Sequence, residues 1–159
     1  MNRINKILNN KDYIKHCNSI KELEINRVFC RHNLEHFIDT SRIMHLINLE
    51  KNLGYNKDIV YACGLLHDIG RCKEYKDNTP HELASFLIAK GILSKCDFEK
   101  EEIVNILNAI KNHRNPSNKS GSLEDLLYKS DKLSRACFNC SAKDKCNWPV
   151  EKRTQTLNY

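Results

Sequence analysis

The sequence predicts an all-α fold, a helical bundle with a short cysteine-rich C-terminal extension. The 159-residue chain has only five glycines and three prolines, which leaves few breaks for a many-stranded sheet. Apolar residues recur at helical spacings in several segments, and residues that favour helix N-caps precede some of these segments. We expect one helical domain over residues 1–135, followed by the extension over residues 136–159.

Three helices are predicted in the first half of the chain. The first covers residues 11–25, and a longer one covers residues 31–53 and ends at Gly54. The longer helix has apolar residues at helical spacings, namely Phe37, Ile43, Met44 and Ile47. The third helix begins after Asn56, a good N-cap, and stops near Gly70. Its small residues, Ala62, Cys63 and Gly64, predict a close approach of another helix.

A polar loop over residues 71–78 is expected to lead to the next helix. There Thr79 as N-cap, Pro80 at the first position and Glu82 at the third form a predicted capping box, which places His81 in the first turn.

Two further helices are predicted after residue 98. The first covers residues 99–113, and His113 extends its apolar stripe of Ile103, Ile106, Leu107 and Ile110. Ser122 and Asp125 cap the second, on which Asp131 shares a face with Leu127.

Composition narrows the classes of function. No segment resembles a signal peptide, and the longest apolar run, residues 59–66, is too short to cross a bilayer. We therefore expect a cytoplasmic protein whose eight cysteines are reduced thiols or metal ligands. The net charge of +6 comes from scattered basic residues, which favours a small phosphate-bearing partner over nucleic acid or a membrane.

Several titratable residues lie on faces that the apolar pattern turns inward. His36, His113 and Asp131 do so, and His67 and Asp68 stand side by side where the apolar run of "YACGLLHDIGRC" ends. A buried carboxylate needs a partner, and one bound cation can satisfy several such groups. Histidine and aspartate together favour Fe, Mn or Zn over Ca or Mg.

Three segments, "EHFIDTSRIM", "GLLHDIGR" and "YKSDKLSR", give the chain a family likeness over about residues 30–135. In their order and content they resemble the HD phosphohydrolase superfamily of helical, metal-dependent enzymes. Two more segments, "TPHELAS" and "AIKNHR", resemble the dinuclear members, and the bacterial HD-type hydrolases of diadenosine tetraphosphate most of all. The likeness implies a four-residue metal set and two ligands for a second metal: His36, His67, Asp68 and Asp131, then His81 and His113.

The resemblance also implies a mechanism. Two divalent metal ions, Fe or Mn, would hold the hydroxide that cleaves a phosphoester or phosphoanhydride of a nucleotide, for which diadenosine tetraphosphate is the specific expectation. Asp68 would be the catalytic residue, because it bridges the metals and organises the nucleophile. Arg71, Lys132 and Arg135 would neutralise phosphate oxygens. The alternative interpretation is that Arg71 is a solvated charge in a loop. Lys132 and Arg135 would then be favourable charges at the C-terminus of their helix.

Three alternatives to this function stay open. A mononuclear HD nucleotidase would use only the four-residue set, and a di-iron HD protein would activate oxygen on an organic substrate. A non-catalytic protein would bind a ligand while its C-terminal cysteines sense metal or redox state. No oligomeric state is predicted.

The extension contains Cys137, Cys140 and Cys146 in the pattern C-x2-C-x5-C. This spacing is similar to the iron–sulfur loop of some DNA glycosylases, in which the first cysteine would fall at Ser130. A zinc ion or an iron–sulfur cluster needs a fourth ligand, for which the candidates are Cys30, Cys72 and Cys96. The alternative is three unrelated thiols.

The remaining histidines are expected to lie outside the metal set. His32 stands four residues before His36 and is expected at the surface or behind a ligand. His16 and His45 are interpreted as ordinary surface or partly buried histidines.

Overall fold

The computed structural model describes residues 1–157 and 159, and it confirms the all-α prediction, with no strand among them. The described residues form eight α-helices: α1 Asn2–Leu8, α2 Lys11–Leu23, α3 Leu34–Glu50, α4 Lys57–Leu66, α5 Arg71–Asp77, α6 His81–Leu93, α7 Lys100–Asn112 and α8 Leu123–Leu133. Three short 3-10 helices follow at Cys137–Asn139, Lys143–Lys145 and Val150–Lys152. Within the described residues, no helix has the length and apolar character needed to cross a membrane.

Helix α3 is the centre of the bundle, and it packs against α4 on one side and α8 on another. Helices α6 and α7 pair with each other, and α7 also contacts α4 and α8. The largest fully buried side chains include Phe37 and Met44 of α3, Leu65 and Leu66 of α4, and Ile106 and Ile110 of α7. This arrangement brings one end of α3, α4, α6, α7 and α8 together.

Gly64 allows α4 to lie directly against α3, as the small residues predict. A Cβ atom at this position would stand 2.4 Å from Ser41 Oγ and 2.7 Å from Ser41 N. The hydroxyl of Ser41 donates to the carbonyl oxygen of Phe37 at 2.7 Å, so moving it aside would break this hydrogen bond. The close contact brings the N-terminal half of α3 near the last turn of α4.

The prediction of a polar loop over residues 71–78 was wrong, because Arg71–Asp77 forms α5. Cys72 is the only buried residue of this helix, so its sequence has no apolar stripe that periodicity could detect. An ion pair between Arg71 and Glu74, three residues apart, joins the first turn, and Asn78 ends the helix with a left-handed φ of 60°.

The predicted capping box at the start of α6 is also absent. Pro80 is the N-cap and no side chain caps the helix, while the hydroxyl of Thr79 donates to Asp77 Oδ1 instead. His81 still begins the first turn, as predicted.

Helix α1 was not predicted, although Ile4 and Ile7 are fully buried on its inner face. The other predicted helices exist with shifted ends. Asn56 and Ser122 cap α4 and α8 as expected, because each side chain accepts a backbone N–H of the first turn.

The chain after α8 has almost no apolar core of its own. Among the described residues after 135, only Cys137, Ala142 and Thr154 are buried. The hydroxyl of Thr154 donates to the carbonyl oxygen of Lys132 at 2.9 Å, and this contact ties the segment to the end of α8.

Candidate metal centre

The structure brings together the six residues that the sequence singled out as metal ligands. His36 projects from α3, His67 and Asp68 from the turn after α4, and Asp131 from α8, while His81 begins α6 and His113 ends α7. They form two groups in which one donor atom from each residue lies within 4.8 Å of the others: His36, His67, Asp68 and Asp131, and Asp68, His81 and His113. All six are buried, and Asp68 belongs to both groups.

The two carboxylate oxygens of Asp68 face different groups. Its Oδ1 lies 3.2 Å from His81 Nε2 and 3.5 Å from His113 Nε2. Its Oδ2 lies 3.4 Å from His67 Nε2 and 3.9 Å from His36 Nε2. Asp68 therefore stands at the junction of two sites that are each completed by imidazoles from other elements.

Two of the imidazoles are oriented by the backbone at a helix end. His67 Nδ1 donates to the carbonyl oxygen of Gly64 at 2.8 Å, and His113 Nδ1 donates to that of Ile110 at 2.6 Å. Because Nδ1 of each ring is taken by a carbonyl oxygen, Nε2 is the atom that faces Asp68.

Side chains orient the other two imidazoles. His81 Nδ1 donates to Glu74 Oε1 at 2.9 Å. His36 Nδ1 lies 3.0 Å from the hydroxyl of Ser134, which donates its own proton to the carbonyl oxygen of Asp131 at 2.8 Å and so accepts from the imidazole. All four predicted histidine ligands consequently present Nε2 to the centre.

The donor set fits divalent metal ions. Although they are buried, the Nε2 atoms of His67 and His81 have no hydrogen-bond partner among the described residues. An orphaned buried nitrogen is costly unless something binds it, and a metal ion satisfies it. Four imidazoles with two carboxylates are typical ligands of Fe, Mn or Zn.

The buried carboxylates stay ionised. Burial raises the pKa of Asp68, but Arg71 and His67 outweigh this effect and hold it well below its usual range. Burial likewise opposes ionisation of Asp131, but the neighbouring imidazoles of His36 and His67 and the charge of Lys132 hold its pKa well below its usual range. Burial lowers the pKa of His67, but the two carboxylates raise it to about 9. The two carboxylates are therefore anionic, and in the metal-free centre His67 carries a proton that a bound cation would replace.

Burial has the larger effect on the outer imidazoles. It lowers the pKa of His36 to about 3, aided by the charge of Arg135, and that of His81 to about 4. Both rings are therefore neutral at pH 7, the form that binds metal.

Arg71, Lys132 and Arg135 surround the centre. Arg71 Nε donates to Asp68 Oδ1 at 3.1 Å, so the alternative interpretation of Arg71 as a solvated loop charge does not hold. Arg135 is buried, and its Nη2 donates to His36 Nε2 at 2.8 Å and lies 3.6 Å from Asp131 Oδ1. Lys132 pairs with Asp131. All three cations therefore contact residues of the first group, and the residue that Arg71 contacts is the shared Asp68.

All three cations line one cleft of about 450 Å³, together with His81, His113 and Asp131. The ammonium group of Lys132 lies 4.9 Å from the ring centre of Tyr128 and 5.4 Å from that of Trp148, two aromatic residues of the same cleft. The centre is therefore reached through a cationic cleft with aromatic walls.

His32 is a fifth imidazole beside the centre, and of its two predicted places the structure excludes the surface and agrees with a position behind a ligand. It is buried, its Nδ1 lies 2.5 Å from Glu24 Oε1, and its Nε2 lies 3.5 Å from Asp68 Oδ2. Helix α3 begins only at Leu34, so the four-residue spacing from His36 does not place both rings on one helix face. His16 and His45 are half-buried and belong to neither group, as expected.

The six cysteines considered as metal ligands separate into two sets. Cys137, Cys140 and Cys146 line the cleft, and Cys30 is the fourth cysteine there. Cys72 and Cys96 are buried in the hydrophobic core instead, which removes them as candidates for the fourth ligand. All eight thiols are free of disulfides.

Comparisons with known proteins agree with this geometry. The family model of the HD domain matches residues 33–140, more than half of the chain and all six residues of the centre. An uncharacterized protein of Clostridium beijerinckii is 45% identical over 159 residues, the whole of both chains. No solved structure matches the chain. On the extent of the family match, the chain is a member of the HD domain family.

Proposed function

We propose that this protein is a metal-dependent phosphohydrolase that cleaves a phosphoester or phosphoanhydride of a nucleotide at a dinuclear centre. The observation that carries the proposal is Asp68, whose two oxygens face two separate groups of imidazoles. Membership of the HD domain family supports the reaction class. Fe or Mn suits the mixed nitrogen and oxygen donors.

The six residues of the centre would hold two metal ions, with Asp68 between them. When bound, such ions lower the pKa of a water molecule and neutralise charge on phosphoryl oxygens. The protein's contribution is orientation: Gly64 and Ile110 carbonyls and the side chains of Glu74 and Ser134 hold each imidazole in one tautomer.

The cleft supports a polyanionic nucleotide as substrate. Eight of its lining side chains are basic and one is a carboxylate: Arg27, Arg71, Arg114, Lys132, Arg135, Lys143, Lys152 and Arg153, against Asp131. Phe29, Tyr128 and Trp148 add aromatic faces on which a base can stack. A chain of phosphates with a nucleoside at each end uses both features, so diadenosine tetraphosphate is our specific expectation. Arg71, Lys132 and Arg135 are the proposed phosphate contacts.

Metal content and phosphate release test the proposal together. We expect two Fe or Mn ions per chain in the anaerobically purified protein and release of phosphate or a nucleotide from at least one member of a nucleotide panel. Asp68→Ala should lose both ions and the activity, whereas His113→Ala should retain the ion of the first group. Asp39→Ala, which removes an exposed carboxylate from α3, is the control and should match the wild type.

Other outcomes distinguish the alternatives. One ion per chain that is unaffected by His81→Ala supports the mononuclear nucleotidase. Oxygen consumption without phosphate release supports the di-iron oxygenase. Two bound ions with no turnover on any nucleotide contradict the hydrolase and favour the sensor.

A further inference from the structure

The four cysteines of the cleft come from distant parts of the sequence. Cys30 lies in the irregular segment between α2 and α3, while the other three follow α8 within ten residues. All four line the same cleft as His81, His113 and Asp131. Free thiols that a fold gathers on one surface are a potential soft-metal site.

Hydrogen bonds hold the two segments together. Arg135 Nη1 donates to the carbonyl oxygen of Arg31 at 2.9 Å, and Arg27 Nε donates to that of Cys30 at 2.9 Å. Cys137 follows Arg135 by two residues, and its N–H donates to the Arg135 carbonyl oxygen at 2.8 Å. One arginine therefore fixes the backbone next to Cys30 and the backbone that begins the C-x2-C-x5-C pattern.

Neighbouring groups also shift the pKa of the Cys30 thiol. Burial raises its pKa, Arg135 opposes this, and the thiols of Cys137 and Cys140 add to the rise. The two thiols thus lie within electrostatic range of Cys30. This interaction supports the grouping that the cleft and the hydrogen bonds establish.

The segment after α8 has little buried apolar surface to stabilise it. Its regular structure consists of three 3-10 helices of three residues each, and Phe138, Val150 and Leu157 are exposed. Arg153 holds its turns by donating to three carbonyl oxygens, those of Lys143, Cys146 and Trp148. A segment this poor in buried apolar surface is the kind that a bound metal centre stabilises.

The absence of a tight group of sulfur atoms in the described part of the chain argues against a single zinc ion. A tetrahedral zinc ion with Zn–S bonds of about 2.3 Å brings its sulfurs to roughly 3.8 Å from one another. Among the described residues, no three cysteine sulfurs lie within 4.8 Å of one another. A cubane cluster binds each sulfur at a different iron and therefore requires a wider arrangement.

We propose that four thiolates on the cleft wall together bind a four-iron cluster: those of Cys30, Cys137, Cys140 and Cys146. Each thiol gives up its proton to solvent when its sulfur binds iron. The cluster would form one wall of the approach to the histidine and carboxylate centre, beside Arg135 and Trp148. This site is independent of the reaction that the centre performs.

Acid-labile sulfide is the decisive measurement, because a centre of imidazoles and carboxylates contains none. We expect about four sulfides per chain after anaerobic purification, with the broad visible absorption of sulfide bound to iron. Cys30→Ser should lose nearly all of both signals. Cys17→Ser, which changes a half-buried thiol outside the cleft, should retain them. Far-UV circular dichroism checks that each variant keeps the helical fold.

Three results would overturn the proposal. Sulfide absent from the wild-type protein would do so, with or without zinc. Full retention of sulfide in Cys30→Ser would remove Cys30 as a ligand, and equal loss in Cys17→Ser would show that the loss is not specific to the cleft. If Cys30→Ser fails to fold, Cys146→Ser provides the same comparison, and retention of sulfide in that variant contradicts the four-cysteine site.

Discussion

Glu74 offers a selective test of the second metal group. Its Oε1 accepts the Nδ1 proton of His81 at 2.9 Å, and its Oε2 accepts from Arg71 Nη1 at 2.7 Å. Burial raises the pKa of Glu74, but His81 and Arg71 lower it below its ordinary value, so the carboxylate is charged at pH 7. Removing it leaves His81 Nδ1 without its acceptor and frees the ring to turn.

The expected effect is confined to one ion. Loss of a side chain that orients a metal-binding histidine typically costs about 10- to 100-fold in metal affinity, which is about 1.4–2.7 kcal/mol. We expect Glu74→Ala to weaken binding of the second Mn²⁺ ion by this amount. Glu74→Gln should weaken it less, because the amide oxygen still accepts a hydrogen bond. The first ion should be unaffected, since its group does not include His81.

Calorimetric titration of the metal-free protein with Mn²⁺, supported by competition with a chelator, measures the two affinities separately. Glu82→Gln is the matched control, because Glu82 lies 3.6 Å from the same His81 nitrogen without a hydrogen bond and pairs with Arg114. The assignment of Glu74 to the second ion would be refuted if Glu74→Ala weakened binding of both ions equally. It would also be refuted if Glu82→Gln weakened binding of the second ion as much as Glu74→Ala does.

Three more predictions concern packing, pH and substrate. In a urea titration, Gly64→Ala should lower the free energy of unfolding by about 1–3 kcal/mol or more, because its Cβ would overlap α3. Gly91 has open space around it, so Gly91→Ala should raise the free energy of unfolding by up to about 1 kcal/mol in the same titration. Burial raises the pKa of Glu24 but its hydrogen-bonded partners lower it to about 2, so Glu24 stabilises the fold above pH 4.5 and loses that effect as the pH falls through 2. The stability advantage of the wild type over Glu24→Gln should therefore shrink in acid, and an advantage independent of pH contradicts this reasoning. If Lys132 binds phosphate, Lys132→Ala should raise KM by roughly ten- to hundredfold, whereas Lys129→Ala, which pairs with Asp125 outside the cleft, should not.

The sequence was sufficient to predict the bundle where apolar periodicity and caps agree. Helices α3, α4, α7 and α8 have inward stripes, and Asp131 and His113 extend those stripes, so their burial followed from pattern alone. Helix α5 has a single buried residue and is held by polar contacts, among them a hydrogen bond from Tyr75 to Glu24 at the end of α2. No local pattern contains a contact between residues 51 positions apart.

The same limit explains why periodicity did not place His32 beside the centre and left Cys30 as one of several candidate ligands. His32 and Cys30 lie in an irregular segment, where no helical spacing defines a face. Glu24, eight residues before His32, holds the ring from the end of α2, and Arg135, more than a hundred residues later, holds the backbone beside Cys30. The contact between Glu24 and His32 depends on how the end of α2 meets the irregular segment, which the sequence pattern does not define.

The choice of hydrogen-bond acceptors behind the imidazoles determines how far the centre can be redesigned. His67 and His113 are oriented by main-chain carbonyl groups, which no substitution of a neighbouring side chain can delete. His36 and His81 depend on Ser134 and Glu74, which a single codon change can remove. Each group thus has one ring that is robust to mutation and one that is adjustable. Directed evolution of metal preference would therefore find its variants at Ser134 and Glu74, with the ligands themselves unchanged.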